Sequence, residues 1–100
     1  MKILFESYCY DKSLEGKRYK DPYSVNYSVE CESLKEAAHH AAYDLMSFYK
    51  NEWQNYGGAV VIINDKCVYD AFPSGNVVFH DCAEFERLFR EELKGIEIER

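Results

Sequence analysis

The chain has 100 residues, 47% of them hydrophobic and 30% charged, and its formal net charge is −6 at pH 7. This composition argues against intrinsic disorder, and the length predicts a single domain over residues 1–100. The negative charge disfavours a general affinity for nucleic-acid phosphates, which requires clustered Lys and Arg. No apolar run approaches the length of a membrane span, and the run after Met1 is too short for a signal peptide. We therefore expect a cytoplasmic protein that does not enter the membrane.

Alternating side chains predict the first two strands. Residues 2–10 (KILFESYCY) are apolar on both faces apart from Glu6, as expected near the centre of a sheet. Residues 11–22 are polar and contain glycine and proline, which predicts a long loop. Residues 23–31 alternate more regularly than any other segment. Their predicted core-facing side chains are Tyr23, Val25, Tyr27, Val29 and Cys31.

The first helix is predicted to begin at Ser33, whose hydroxyl can cap a free amide while Glu36 completes a capping box. Apolar positions then recur at helical spacing until Gly57-Gly58, which we expect to end the element. The predicted core-facing stripe is apolar or aromatic except for its last member and consists of Leu34, Ala37, Ala38, Ala41, Leu45, Phe48, Tyr49 and Glu52.

Three further strands are predicted after this helix. Residues 59–63 (AVVII) are a continuous β-branched run, typical of an interior strand. Asn64-Asp65 tolerate positive φ and predict a tight hairpin into a strand over 66–72. The side chains assigned to one face of that strand are Cys67, Tyr69 and Ala71. A turn then leads to a last short strand at 77–80.

The second helix is predicted to begin at Asp81, with Glu84 completing a capping box, and to end at Gly95. The order β-β-α-β-β-β-α predicts an α+β fold of two layers, in which a mainly antiparallel sheet carries both helices on one face. The side chains expected in the core are Val29, Leu45, Val61, Ile63, Phe85 and Leu88.

The residues that could support catalysis or metal binding have structural explanations. His39 and His40 are adjacent on a helix and point about 100° apart, so they cannot chelate one ion together. Residues 80–82 (HDC) resemble a nucleophilic site, but Asp81 is already assigned to the helix cap. The dipole of the second helix can lower the pKa of Cys82. We expect no catalytic residue, metal or cofactor, and four reduced cysteines.

Residues 33–94 have the α-β-β-β-α order of double-stranded RNA-binding domains. Those domains need basic residues at the start of the last helix to reach phosphates. Here that segment is acidic (DCAEFE, residues 81–86), so we expect neither recognition of double-stranded RNA nor direct sequence-specific binding of nucleic acid.

The face of the first helix opposite its core stripe is predicted to bind a partner. Tyr43 and Met46 lie on or beside this face, and exposed Tyr and Met are typical of docking surfaces. Charge is also uneven: residues 11–21 hold four basic and three acidic side chains (+1), whereas the remainder holds eight basic and fifteen acidic ones (−7). The residues assigned to the partner surface are Lys17, Arg18, Glu36, His39, Tyr43, Asp44 and Met46.

These features predict a small, acidic, non-enzymatic protein that occupies a basic protein or nucleoprotein surface. Phage or mobile-element inhibitors of nucleic-acid-processing defence systems, of the anti-CRISPR or anti-restriction type, share this size, charge and lack of catalytic motif, as do toxin-immunity proteins. The alternative is a small enzyme or ligand-binding domain with a pocket between sheet and helices near Tyr69, His80 and Cys82.

Overall fold

The structure, a computed structural model, describes residues 2–11, 24–50, 56–72 and 76–98. Its elements are strands β1 (Ile3–Asp11) and β2 (Ser24–Cys31), helix α1 (Leu34–Lys50), strands β3 (Tyr56–Ile63), β4 (Lys66–Ala71) and β5 (Val77–Phe79), and helix α2 (Ala83–Ile98). This order and the α+β class confirm the prediction. The predicted long loop lies, apart from Asp11, outside the described residues.

All five strands form one antiparallel sheet in the order β2-β1-β3-β4-β5. Strand β1 is an interior strand because Phe5 pairs with Val29 on one side and with Ile63 on the other. Strands β2 and β3 therefore run parallel to each other with β1 between them, and α1 makes the connection. None of the helices among the described residues combines the length and apolarity needed to cross a membrane.

Both helices cover the same face of the sheet, and the main core lies between the two layers. Short side chains on α1 let this helix approach the sheet closely, whereas aromatic rings fill the space under α2. The fully or nearly buried members of this core include Phe5, Ala37, Ala38, Ala41, Ala42, Leu45, Val61, Ile63, Tyr69, Phe85 and Phe89. Among the predicted core residues, Val29 and Leu88 are only partly buried and pack against its margin.

The second face of the sheet, opposite the helices, also has a buried centre. Val60 and Ile62 are 0% exposed although they do not belong to the helix-side core. Directly paired residues share a face, so Tyr8 and Asp70 flank Val60, while Glu6 and Cys67 flank Ile62. On this face, the apolar side chains of β3 therefore lie between more polar side chains on β1 and β4.

A β-bulge in β4 corrects one predicted face. Val61 pairs with Tyr69 and Ile62 pairs with Cys67, which leaves Val68 as an extra residue. Val68 consequently joins the buried core together with Tyr69, and Cys67 points to the second face instead of sharing the face of Tyr69. Strict alternation could not anticipate this change because a bulge shifts the register by one residue.

The local turn and cap predictions have mixed outcomes. Asn64 and Asp65 both have positive φ, 48° and 67°, which confirms the tight hairpin. Ser33 Oγ accepts the Glu36 N–H at 3.1 Å, as predicted, while the Glu36 carboxylate accepts the N–H of Glu32 at 2.7 Å. At the second helix the prediction of Asp81 as the N-cap is wrong.

The N-cap of α2 is Cys82, whose carbonyl accepts the first helical hydrogen bond from Glu86 N–H at 2.9 Å. Asp81 precedes it with a φ of 43° and forms the sharp turn out of β5. Two glycine predictions are also corrected. Gly57-Gly58 lies inside β3, and α2 continues past Gly95 because Ile96 is buried against the core.

Candidate functional site

A groove lies where α1 meets the edge strand β2. Its lining residues are Tyr27, His40, Tyr43 and Asp44, and its volume is about 190 Å³. Among the described strands, β2 has β1 as its single neighbour, and Tyr27 is 40% exposed even though it faces the helix layer. Tyr43 is 47% exposed on the outer side of the helix. We call this feature the edge groove.

The side chains of the edge groove are held by neighbouring groups. Tyr27 Oη lies 3.2 Å from His40 Nδ1, and the Tyr27 ring packs edge-on against Phe5 with centroids 5.9 Å apart. The buried Ser7 hydroxyl donates a 2.6 Å hydrogen bond to Asp44 Oδ2. One wall is therefore anchored to β1, and the groove presents two aromatic rings, an imidazole and a carboxylate.

The structure brings together only part of the predicted partner surface. Tyr43 and Asp44 line the edge groove, and His39 contacts Tyr43 with ring centroids 4.8 Å apart. The His39 imidazole also lies 3.0 Å from Glu92 on α2, so it links the two helices. Lys17 and Arg18 lie outside the described residues.

Two other predicted docking residues have structural roles. Glu36 accepts a hydrogen bond in the cap of α1 and faces His40 one turn later, with 4.0 Å between their nearest atoms. Met46 is partly buried and packs against the core, so the expectation of an exposed Met beside Tyr43 is wrong. The 3.6-residue helical period turns this position toward the sheet.

Sequence reasoning missed Tyr27 and His40 as groove residues. Tyr27 was assigned to the core because of its alternation, and only its place on an edge strand leaves it half exposed. His40 was considered only as a metal ligand beside His39. A tyrosine on a strand can be a core residue or a binding residue, since its ring is apolar and its hydroxyl is polar. The sequence does not show whether the strand lies at the edge of the sheet, so it could not decide between these roles.

A second, larger cavity opens between α2 and the β5 edge. It has a volume of about 300 Å³ and is lined by Leu45, Asn76, Val77, Phe79, Phe89, Arg90 and Leu93. The Arg90 guanidinium lies 5.3 Å from the centroid of the Phe79 ring and donates a hydrogen bond to Glu86 at 3.0 Å. Arg87 pairs with Glu91 at 3.2 Å, so the expected ion pairs along α2 are present.

Among the cysteines, Cys82 differs from the sequence expectation in the direction of its pKa shift. Cys31, Cys67 and Cys82 are free thiols. Burial raises the pKa of the Cys82 thiol, and a backbone hydrogen bond only partly opposes this effect. The prediction of a lowered pKa at the helix start is therefore wrong, because burial is the largest influence on the pKa of this thiol. Burial and the nearby Asp70 carboxylate raise the pKa of Cys67 to about 12.

Two clusters among the described residues bring three metal-binding side chains together. Cys31, Glu36 and His40 form one at the start of α1, and Cys67, Asp70 and His80 form the other on the second face of the sheet. In each cluster the donor atoms lie within 4.8 Å of one another. Sequence spacing offered Glu36 beside the histidines of α1, but it did not reveal either complete cluster, because Cys31 and His80 come from outside the element that holds the other two residues.

Comparison with protein-family models, with curated proteins and with solved structures gave no match to this chain. The functional conclusion therefore depends on the geometry and charge of the chain's own residues.

Proposed function

We propose that this protein binds a basic macromolecular partner, without catalysis, by receiving a Lys or Arg side chain in the edge groove. The observation that carries the proposal is the combination of Tyr27, Tyr43 and the Asp44 carboxylate around one opening. A cation against an aromatic face contributes about 0.5–2 kcal/mol, depending on how far it is desolvated. A carboxylate at the same opening adds a charge-assisted hydrogen bond.

The charge of the chain supports the same class of partner. A net charge of −6 attracts a basic surface over a distance of about 8–10 Å at ordinary salt. Basic clefts of nucleic-acid-processing enzymes, and of toxins neutralised by immunity proteins, are surfaces that this chain would fit. Electrostatic attraction would speed the encounter, whereas the aromatic contacts would prolong the complex.

The proposal is tested by affinity capture with three forms of the full chain as baits: wild type, Tyr43→Ala and Val78→Ala. Tyr43→Ala removes a groove ring, and Val78→Ala is a matched control because Val78 is 46% exposed but lies on the second face beside Asp70. The groove partner is the protein enriched by wild type and Val78→Ala but depleted with Tyr43→Ala. In binding kinetics with that protein, we expect Tyr43→Ala to accelerate dissociation about tenfold or more.

Salt provides the second measurement on the same complex. Raising ionic strength should slow association much more than it changes dissociation, since steering acts on the encounter. If the three baits enrich the same proteins equally and association is indifferent to salt, the edge groove is not the binding site.

The cavity beside α2 favours a second candidate function, the binding of a small ligand with an apolar part. Its lining combines aliphatic and aromatic side chains with the polar Asn76 and Arg90. Its volume of about 300 Å³ lies at the lower limit of ligand pockets. It differs in place from the predicted pocket, because His80 lies beside Asp70 on the second face of the sheet. A thermal-shift screen with hydrophobic compounds tests this candidate, and a hit that survives Leu93→Trp would place the ligand elsewhere.

A further inference from the structure

The cluster of Cys67, Asp70 and His80 owes its existence to the bulge in β4. In a regular strand, residues three apart point to opposite faces, so Cys67 and Asp70 would be separated by the sheet. The extra residue Val68 between them restores a common face. His80 follows β5, and its backbone N–H donates to the Val68 carbonyl at 3.0 Å, which fixes its position against the bulge.

We propose that these three side chains form a zinc-binding site. Their donor atoms are one sulfur, one carboxylate oxygen and one imidazole nitrogen, all within 4.8 Å of one another. This mixture of a soft, a hard and an intermediate ligand suits Zn²⁺, which accepts Cys, His and Asp in tetrahedral sites. Neighbouring ligand atoms in such a tetrahedron are separated by roughly 3–4 Å.

Small side-chain movements convert the present arrangement into that geometry. His80 Nε2 and Asp70 Oδ2 are 2.5 Å apart in a direct hydrogen bond, so they must separate slightly to admit an ion. Both are accessible, with side chains 43% and 29% exposed, which leaves an entry path and a fourth position for water. As the sulfur–zinc bond forms, the Cys67 thiol proton is released to solvent.

The second cluster has the same types of donor but is less suited to an ion. Cys31 is 0% exposed, and one Glu36 oxygen already accepts the Glu32 N–H in the helix cap. We therefore assign zinc to Cys67, Asp70 and His80, and use the Cys31 cluster as an internal control.

The test uses the full chain, freed of metal, with Zn²⁺ as the only added ligand and a chromophoric chelator as competitor. We expect one equivalent of zinc to bind. Cys67→Ser and His80→Gln should each weaken binding by at least about tenfold, whereas Cys31→Ser, His40→Gln and Cys82→Ser should not. Replacement of zinc by Co²⁺ should give the intense near-ultraviolet band of a thiolate ligand, and Cys67→Ser should abolish it.

Three results would overturn the assignment: no saturable zinc binding, equal binding by Cys67→Ser and wild type, or a loss that follows His40→Gln instead. Asp70→Asn and His80→Gln change accessible side chains, so they keep the test valid if Cys67→Ser fails to fold. Circular dichroism of each zinc-free variant checks the fold. Tyr43→Ala should bind zinc normally, since the edge groove lies on the other side of the sheet, and this separates the site from the proposed partner binding.

Discussion

The two faces of the sheet are buried by different means. On the helix side, α1 and α2 cover a continuous apolar layer that includes Phe5, Val61 and Tyr69. On the second face, Val60 and Ile62 are equally inaccessible, but their neighbours on the adjacent strands are Glu6, Tyr8, Cys67 and Asp70. The centre of the helix side thus consists mainly of packing residues, whereas the second face places reactive and titratable groups around a small apolar centre.

This contrast explains why β3 is apolar on both sides in an antiparallel sheet. Its alternate residues pack into two separate buried layers, one on each face of the sheet. Such a strand allows polar chemistry on the second face without loss of order, since the neighbouring side chains are positioned by a buried centre. The contribution of each face to the free energy of unfolding can be measured by substitution.

The largest effect is expected from removing one buried aliphatic side chain on each face. Leu45→Ala, on the helix side, and Ile62→Ala, on the second face, should each lower the free energy of unfolding by about 2–5 kcal/mol. Denaturant titration measures both, with Leu88→Ala as a partly buried control that should cost less. A nearly neutral Ile62→Ala would mean that the second face does not contribute a packed layer.

A smaller effect is expected from the polar link between the sheet and α1. Ser7 is the buried residue whose hydroxyl donates to Asp44, so Ser7→Ala should lower the free energy of unfolding by about 1–3 kcal/mol. Asp44→Asn keeps the shape of the acceptor and should cost less. If both variants were as stable as wild type, this hydrogen bond would not position the wall of the edge groove.

The smallest effect is a pH dependence on the second face. The hydrogen bond donated by Tyr8 to Glu6, assisted by burial and by the Glu6 charge, raises the pKa of Tyr8 to about 12 from its ordinary value of 10.0. The folded state therefore retains this proton more strongly than the unfolded state. The resulting contribution to stability is complete below about pH 10 and is lost as the pH rises through about 12.

Tyr8→Phe isolates that contribution. The difference in unfolding free energy between wild type and Tyr8→Phe should shrink between about pH 10 and pH 12, because only wild type has the titrating hydroxyl. Other groups that titrate at alkaline pH affect both proteins equally, so their effects cancel in this difference. A difference that stays constant over this range would show that the Tyr8–Glu6 hydrogen bond does not persist in solution.

The sequence predicted the elements and their order because their signals are local. Alternation identified β1 and β2, the β-branched run identified β3, and Asn64-Asp65 identified the hairpin. Element ends were less accurate. Gly57-Gly58 and Gly95 are common breakers, yet pairing with β1 and burial of Ile96 extend β3 and α2 through them.

The candidate site was predictable only where it depends on one helix. Tyr43 and Asp44 follow from the periodicity of α1, but Tyr27 reaches the groove from an edge strand whose place in the sheet is a tertiary property. The proposed zinc ligands could not be predicted from the sequence for a related reason. Cys67 and Asp70 are brought to one face by a bulge, and hydrophobic alternation carries no information about an inserted residue.

The position of β1 in the sheet has a kinetic consequence. Its Phe5 must find Ile63, more than half the chain away, and closing so large a loop costs conformational entropy before any pairing is gained. The β3–β4 hairpin, by contrast, closes through the two-residue turn at Asn64-Asp65 and can form within microseconds. Insertion of β1 beside this preformed hairpin is therefore the expected slow step. Until it occurs, the edge of β3 that β1 covers in the folded sheet stays available to other chains, and this is the stage at which the molecule is most prone to aggregate.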